Sequence, residues 1–405
     1  MVHKRRRCEQ RFYSDRAVET WLGMSRAASA LFAPTCYTSN MDHRSRLTKL
    51  QTDFDRIHLD ALLVMHLPNI RYLCGFTGTS GALVVTEARS VFFTDGRYAE
   101  QARAEVRGAR VVIARKPPLA AASEWLVANA SQVRRKTPRR LGIESEHLTV
   151  AARGQLVSFL RSAFRLRETR GLVEQARMVK DSDEIAHLRA AAVLGASLFD
   201  RALEVIRPGV KESEVAAEME FAARRIGAEG MSFPTIVAAG KRSALPHGRA
   251  TNAAIPSRGF VVCDFGVILA GYCSDRTRTV HVGRPTDKAR RTYEAVREAQ
   301  VAAIEAVRAG VNVGEVDKAA RTVLKKKGLA AYFTHSTGHG VGLEIHEPPR
   351  IAAGQSEILR PGMVITIEPG VYIAGSGGVR IEDMVVVTER GCEVLAPAGK
   401  ELITI

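Results

Sequence analysis

Two apolar stretches of this chain each carry an acid in surroundings that disfavour a bare charge. Phe260-Val261-Val262-Cys263-Asp264-Phe265-Gly266 and Tyr272-Cys273-Ser274-Asp275-Arg276-Thr277 both read as β-strands, joined by a turn that ends at Gly271. A hairpin folded about Leu269-Ala270 sets Asp264 opposite Asp275 on one face. Opposed Cβ atoms lie about 5 Å apart, where like charges repel. Carboxylates among Val, Phe and Cys are costly unless something compensates them. Either an arginine or a cation must do so. In this register Arg276 and Arg278 point to the other face, which favours the cation.

The pattern returns further along. Met363 to Glu368 is an apolar run ending in an acid just before Pro369-Gly370, and Val379-Arg380-Ile381-Glu382-Asp383 follows a glycine-rich loop. A surface hairpin with exposed acids is the plainer reading, but Glu368 is flanked by Ile367 and Pro369. Between the pairs lies His335-Ser336-Thr337-Gly338-His339-Gly340-Val341-Gly342, with His346 beyond it. His335 and His339 would form a zinc pair on a helix, but three glycines disfavour a helix there. Glycine at every second position marks a backbone that something approaches closely. Four acids and one neutral imidazole carry a charge that two divalent ions balance. Ligation by oxygens and one nitrogen suits Mn²⁺ or a similarly hard ion. Two metals held by shared carboxylates can make water nucleophilic at neutral pH.

At 405 residues, two domains are expected. From Asp60, short strands (Ala61 to Met65, Ala82 to Val85, Ser90 to Phe93, Arg110 to Ala114, Leu141 to Glu144) alternate with helices over Arg97 to Arg107 and from Ser123. That alternation predicts an α/β layer domain. Beyond Gly171 the texture changes to helices over Ser182 to Ile206, Glu212 to Gly227, Tyr293 to Val307 and Val316 to Lys327, with glycine-rich strands between, which predicts an α+β domain. The division reads as 1–40 an extension, 41–175 the first domain and 176–405 the second. The extension begins Lys4-Arg5-Arg6-Arg7 and offers Met24 and Met41 as alternative starts. It is expected to be disordered or non-native, with a transit peptide as the other reading.

The formal charge of +16 raises the question of nucleic acid. Residues 41–180 hold 24 basic and 13 acidic residues, and residues 181–405 hold 28 and 27, so the excess lies in the first domain. It is dispersed apart from Arg134-Arg135-Lys136 and Arg139-Arg140, with no aromatic interleaving. A solvated basic surface without a nucleic-acid partner is expected. No apolar run approaches the roughly 20 residues that cross a bilayer. Six cysteines without a C-x-x-C pair fit a reducing, cytoplasmic compartment.

The set Asp264, Asp275, His339, Glu368 and Glu382 resembles the ligand set of the pita-bread metallopeptidases: methionine aminopeptidase, aminopeptidase P and prolidase. Pro68 to Phe76 and Thr94-Asp95-Gly96-Arg97-Tyr98 are similar to the amino-terminal domain of bacterial Xaa-Pro peptidases and creatinases. Methionine aminopeptidases lack that domain, and creatinases lack the ligands. The resemblance implies an α+β pita-bread catalytic domain behind a creatinase-like α/β domain. It implies that Asp264 binds one metal, that His339 and Glu368 bind the other, and that Asp275 and Glu382 bridge them. Mn²⁺ is the expected ion, with Co²⁺ or Zn²⁺ as alternatives. Glu368 would take the proton from the attacking water, and His247, His335, His346 and Arg380 would surround the scissile bond. The implied substrates are peptides with proline second, cut by an Xaa-Pro aminopeptidase. A dipeptide-cutting prolidase or a non-catalytic binding protein on the same fold are the alternatives. A homodimer is also implied.

Overall fold

The computed structural model describes residues 41–130 and 139–405; the expectations for segment 1–40 and for Arg134-Arg135-Lys136 lie outside the described residues. Strands β1 (Ala61–Val64), β2 (Ala82–Thr86), β3 (Ser90–Asp95), β4 (Arg110–Ala114), β5 (Arg139–Glu144) and β6 (Phe164–Thr169) form one six-stranded sheet. Its order is β4-β3-β2-β1-β5-β6, parallel except around β2. Apolar residues fill both faces: Leu62, Val64 and Phe92 belong to one core, Leu63, Val84 and Phe93 to the other. A sheet covered on both sides needs such continuous apolar runs. The helix expected from Ser123 starts earlier, at Pro118, because proline is well suited to a first helical turn that needs no N–H.

The later part begins with helix Ser182–Ala196, capped by Asp181 and Glu184. The single long helix expected there breaks at Ser197, whose hydroxyl donates to the Leu194 carbonyl, and resumes over Leu198–Val205. Strands β7 (Gly230–Met231), β8 (Ile236–Ala239), β9 (Gly259–Phe265), β10 (Val267–Leu269), β11 (Tyr272–Cys273) and β12 (Arg276–Val282) follow. After helices Asp287–Ala306 and Val313–Lys326 come β13 (Gly338–Gly340), β14 (Glu347–Ile351), β15 (Val364–Ile367), β16 (Gly370–Ile373), β17 (Gly377–Arg380), β18 (Asp383–Val387) and β19 (Cys392–Val394). The antiparallel sheets β12-β9-β8 and β14-β13-β15-β18-β19 each pack one face on helices. This is the α/β unit followed by an α+β unit that the sequence predicts.

Strand alternation then decides where the acids go. In β9 and β12, Val261, Cys263, Val280 and Val282 face the helices Leu198–Val205 and Glu212–Arg225, so Asp264 and Thr277 face away. In β15, Ile365 and Ile367 face the helices Asp287–Ala306 and Val313–Lys326, so Thr366 faces away, and Glu368 continues that phase.

Candidate metal centre

The β9–β12 hairpin differs from the expected register. Its ladder pairs Asp264 with Thr277 and Phe265 with Arg276, not Asp264 with Asp275. The turn is centred one residue later, on Ala270-Gly271, and both residues have positive φ, 48° and 75°. That is the backbone sign of a tight hairpin turn whose twist matches the strands. A shift of two positions in pairing preserves which face each residue occupies. Asp275 therefore sits diagonally from Asp264 on the same side. Arg276 and Arg278 lie on the other side, where Arg278 pairs with Asp383 at 2.7 Å.

Glu368 and Glu382 occupy a break in a second long hairpin. The β15–β18 ladder runs to Ile367↔Asp383, and the β16–β17 ladder starts at Gly370↔Arg380 in the same register. At the break each acid changes partner. The Glu368 N–H donates to the Thr337 carbonyl at 2.7 Å, and the Glu382 N–H donates to the Thr277 carbonyl at 3.1 Å. The hairpin carrying Glu382 is thereby stitched to the one carrying Asp264.

All nine residues singled out in the sequence line one cavity of about 920 Å³: His247, Asp264, Asp275, His335, His339, His346, Glu368, Arg380 and Glu382. Single side-chain atoms of Asp275, His339 and Glu382 lie within 4.8 Å of one another. His339 Nε2 is 3.5 Å from Asp275 and 3.7 Å from Glu368. Its Nδ1 contacts the Gly340 carbonyl at 3.0 Å, which assigns the proton to Nδ1 and leaves the Nε2 lone pair facing the acids. Burial and the neighbouring His346 lower the His339 pKa to about 4, so the ring is neutral near pH 7. Burial, then the charges of Glu382, Asp264 and Glu368, push Asp275 well above the ordinary carboxylate range. Burial and the charges of Glu368 and Asp264 do the same to Glu382. Burial drives Glu368 up to about 8, despite the opposing charge of Arg380. Asp264 Oδ1 and Glu382 Oε1 are buried with no hydrogen-bond partner among the described residues. Converging carboxylates that raise one another's pKa, two orphaned oxygens and one neutral imidazole make a donor set that fits divalent cations.

Two contributors, Thr277 and Tyr372, escaped the sequence reading, and both bind residues that it named. Arg380 is 2.6 Å from Asp264, and its Nε donates to Thr277 Oγ1 at 3.1 Å. Thr277 in turn donates to Glu382 Oε2 at 2.8 Å. Arg380 also donates to the Tyr372 hydroxyl, which lies 2.9 Å from His335 Nε2. His335 Nδ1 contacts the Ser336 carbonyl at 2.8 Å, so its proton sits there and Tyr372 donates to Nε2. Both nitrogens of His335 are thus engaged by the protein. The glycines at 338, 340 and 342 do answer a close approach, but what approaches is the chain itself. Added Cβ atoms would meet the Thr366 carbonyl, the Pro348 carbonyl and the Glu347 carboxylate respectively. A further trio of potential ligands, His66, His147 and Glu174, lies outside the cavity. Its imidazoles stack at 3.6 Å and 11°, and parallel rings do not aim two in-plane lone pairs at one ion.

The family model described as metallopeptidase family M24 matches residues 186–389, and that of the creatinase/prolidase N-terminal domain matches residues 46–179. The chain belongs to metallopeptidase family M24. The second unit is the family's pita-bread catalytic domain, and the first is its creatinase-type companion. A solved Xaa-Pro dipeptidase from Bacillus anthracis is 40% identical, covers 90% of this chain and 100% of its own, and superposes with a TM-score of 0.85. An X-Pro aminopeptidase from Thermotoga maritima is 33% identical over 87% and 99% of the two chains, with a TM-score of 0.79. A curated Xaa-Pro dipeptidase from Pyrococcus horikoshii is 35% identical over 88% of this chain and 98% of its own. This M24 member is a metal-dependent peptidase. Among its described residues, no helix is long and apolar enough to cross a membrane.

Proposed function

We propose that this peptidase hydrolyses the bond between an amino acid and a following proline, with dipeptides as preferred substrates. Asp264, Asp275, His339, Glu368 and Glu382 would hold two divalent ions, Mn²⁺ first among them. Such a pair, when bound, acidifies water and polarises the scissile carbonyl. The rest is the work of side chains. Glu368, whose carboxyl burial pushes up to about 8, accepts the proton of the attacking water. His346, held neutral by burial and by His247, offers a donor to the oxygen that gains charge as water adds. His247 lines the same cavity and would face the substrate amine. Arg380 and Tyr372 keep Asp264 and His335 in place.

One observation carries the dipeptide preference. Arg249 and Arg350 both line the cavity, and neither guanidinium has a hydrogen bond or ion pair among the described residues. Arg350 pairs with His339 across β13 and β14, so its side chain leaves the sheet on the same face. Free guanidinium groups beside the centre suit the carboxylate of an X–Pro dipeptide. The dipeptidases from Bacillus anthracis and Pyrococcus horikoshii support the same choice. The aminopeptidase reading, favoured by the Thermotoga maritima relative, places the second residue's carboxyl in a peptide bond and gives these arginines no anion. We also infer that the two domains divide near residue 175 and that the chain acts as a homodimer.

The test compares X-Pro with X-Pro-Y peptides after chelation and re-addition of Mn²⁺, Co²⁺ or Zn²⁺. Metal-dependent release of proline from X-Pro, with Arg350→Met raising KM, is the expected result. Cleavage of X-Pro-Y alone would move the assignment to an aminopeptidase. No cleavage of either peptide with any ion would refute the X–Pro reading.

A further inference from the structure

Beside His346 lies a cluster of buried charges that hydrolysis itself does not use. Glu347 opens β14 directly after His346, and its side chain is only 3% exposed. Its Oε1 accepts the Glu344 N–H at 3.1 Å and pairs with Arg177. Its Oε2 accepts from Lys180 at 3.2 Å. A Cβ at Gly342 would lie 2.6 Å from that same oxygen, so the backbone from Val341 to His346 closes over the anion only because residue 342 is glycine. This loop has no regular secondary structure. It is organised about one carboxylate and ends with His346, whose ring meets His339 edge-on with centroids 4.4 Å apart.

The cations come from the segment that joins the two domains. Arg177, 2% exposed, lies in the last turn of helix Leu172–Met178, and Lys180 follows two residues after the helix ends. Arg177 also donates to Asn69 Oδ1 at 2.7 Å, and the Asn69 amide donates to Glu144 and Glu174, all in the first domain. Burial works against the charge on Glu347, but Lys180 and Arg177 bring its pKa below the ordinary carboxylate value. A buried ion cluster is poor value as a stabiliser, because apolar replacements of similar volume often do as well or better. What it supplies is a fixed position.

We propose that Arg177 and Lys180 are positioning residues for His346. By neutralising the carboxylate around which residues 341–346 are wrapped, they set the imidazole against His339 and the reacting bond. The inference rests on the role given to His346 above.

Full-length protein with its ions restored is the material for the test, with proline release from X-Pro as the assay. Arg177→Met lowers kcat by about 10- to 100-fold, the usual range for partners that orient a metal site's residues. KM and bound-ion content stay within about threefold of the parent, the signature of an interaction felt in the transition state. Arg177→Lys restores part of the loss. The ¹³Cε1 resonance of His346 shifts in Arg177→Met. Where that variant fails to fold, combining Arg177→Met and Lys180→Met with Glu347→Gln removes the carboxylate and both its cations together and shows the same fall in kcat with near-parental melting. Parental kcat in either variant overturns the proposal, as does a loss that tracks bound ion or folded fraction. His346→Ala separates the two claims. If it leaves kcat unchanged, the role given to His346 fails and this inference with it; if it abolishes turnover while Arg177→Met keeps parental kcat, this inference alone fails.

Discussion

Arg380 touches most of the frame around the acids: Asp264, Thr277, the Pro246 carbonyl and the Tyr372 hydroxyl. Burial opposes its charge, yet Tyr372 and the nearby acids hold its pKa well above the ordinary arginine value, so it is a permanent cation. The charge to be balanced is thus smaller than a count of four acids suggests. Asp275→Asn keeps the shape of the site and removes one charge between its neighbours. It should lower turnover by about a thousandfold, as expected when several kcal/mol of charge stabilisation is lost. Metal analysis of the purified variant should show fewer ions per chain. Tyr372→Phe removes only the hydroxyl between Arg380 and His335. A loss of about tenfold in kcat with ion content unchanged is expected; parental kinetics would show that His335 needs no such tether. Residue by residue, the acids and histidines were legible because carboxylates in apolar strands demand an explanation. Tyr372, Arg177 and Glu347 were not, since their meaning depends on partners far away in the chain. Tyr372 did leave one trace: it falls two strand periods after Glu368.

At the level of hairpins, periodicity proved a better guide than pairing. The sequence placed Asp264 and Asp275 on a common face, and they share one, but it centred the turn one residue early. The error came from treating Ala270 as an ordinary corner, whereas the structure gives it a left-handed backbone. Such a conformation costs a residue bearing Cβ about 1–2 kcal/mol, and asparagine tolerates it better than alanine. Ala270→Asn should therefore stabilise the protein by up to about 1 kcal/mol, read as a higher midpoint in denaturant titration. A lower midpoint would mean that the turn is held by contacts the substitution breaks. The break between β15–β18 and β16–β17 had no sequence signature beyond Pro369-Gly370. It arises because Thr337 and Thr277, from other hairpins, take the backbone bonds of Glu368 and Glu382.

Across the whole molecule, the two domains meet through ion pairs that pH can test. His66 of the first domain lies 3.0 Å from Glu344 of the second, which also pairs with Arg177 at 2.8 Å. Burial alone would raise the Glu344 pKa, but His66 and Arg177 bring it from 4.5 to about 2. A carboxyl with a depressed folded-state pKa contributes stability above its unfolded value and loses it as pH falls through the folded one. The parent should therefore be more stable than Glu344→Gln above pH 4.5, with the difference fading as pH approaches 2. Thermal melts of both proteins across that range check it, and a gap that persists at low pH would contradict the assignment.

The four acids and one histidine of the centre come from three hairpin regions well separated along the chain, around residues 264–275, 339 and 368–382. Ions seated there act as removable cross-links that close long loops in the folded chain alone. Folding and ion uptake are then one linked equilibrium, and a hundredfold excess of free ion over its dissociation constant adds about 2.7 kcal/mol per site. Melting temperature should climb with the logarithm of free Mn²⁺ and fall on chelation. The catalytic domain would gain most, because the first domain's six-stranded sheet is built entirely outside those loops.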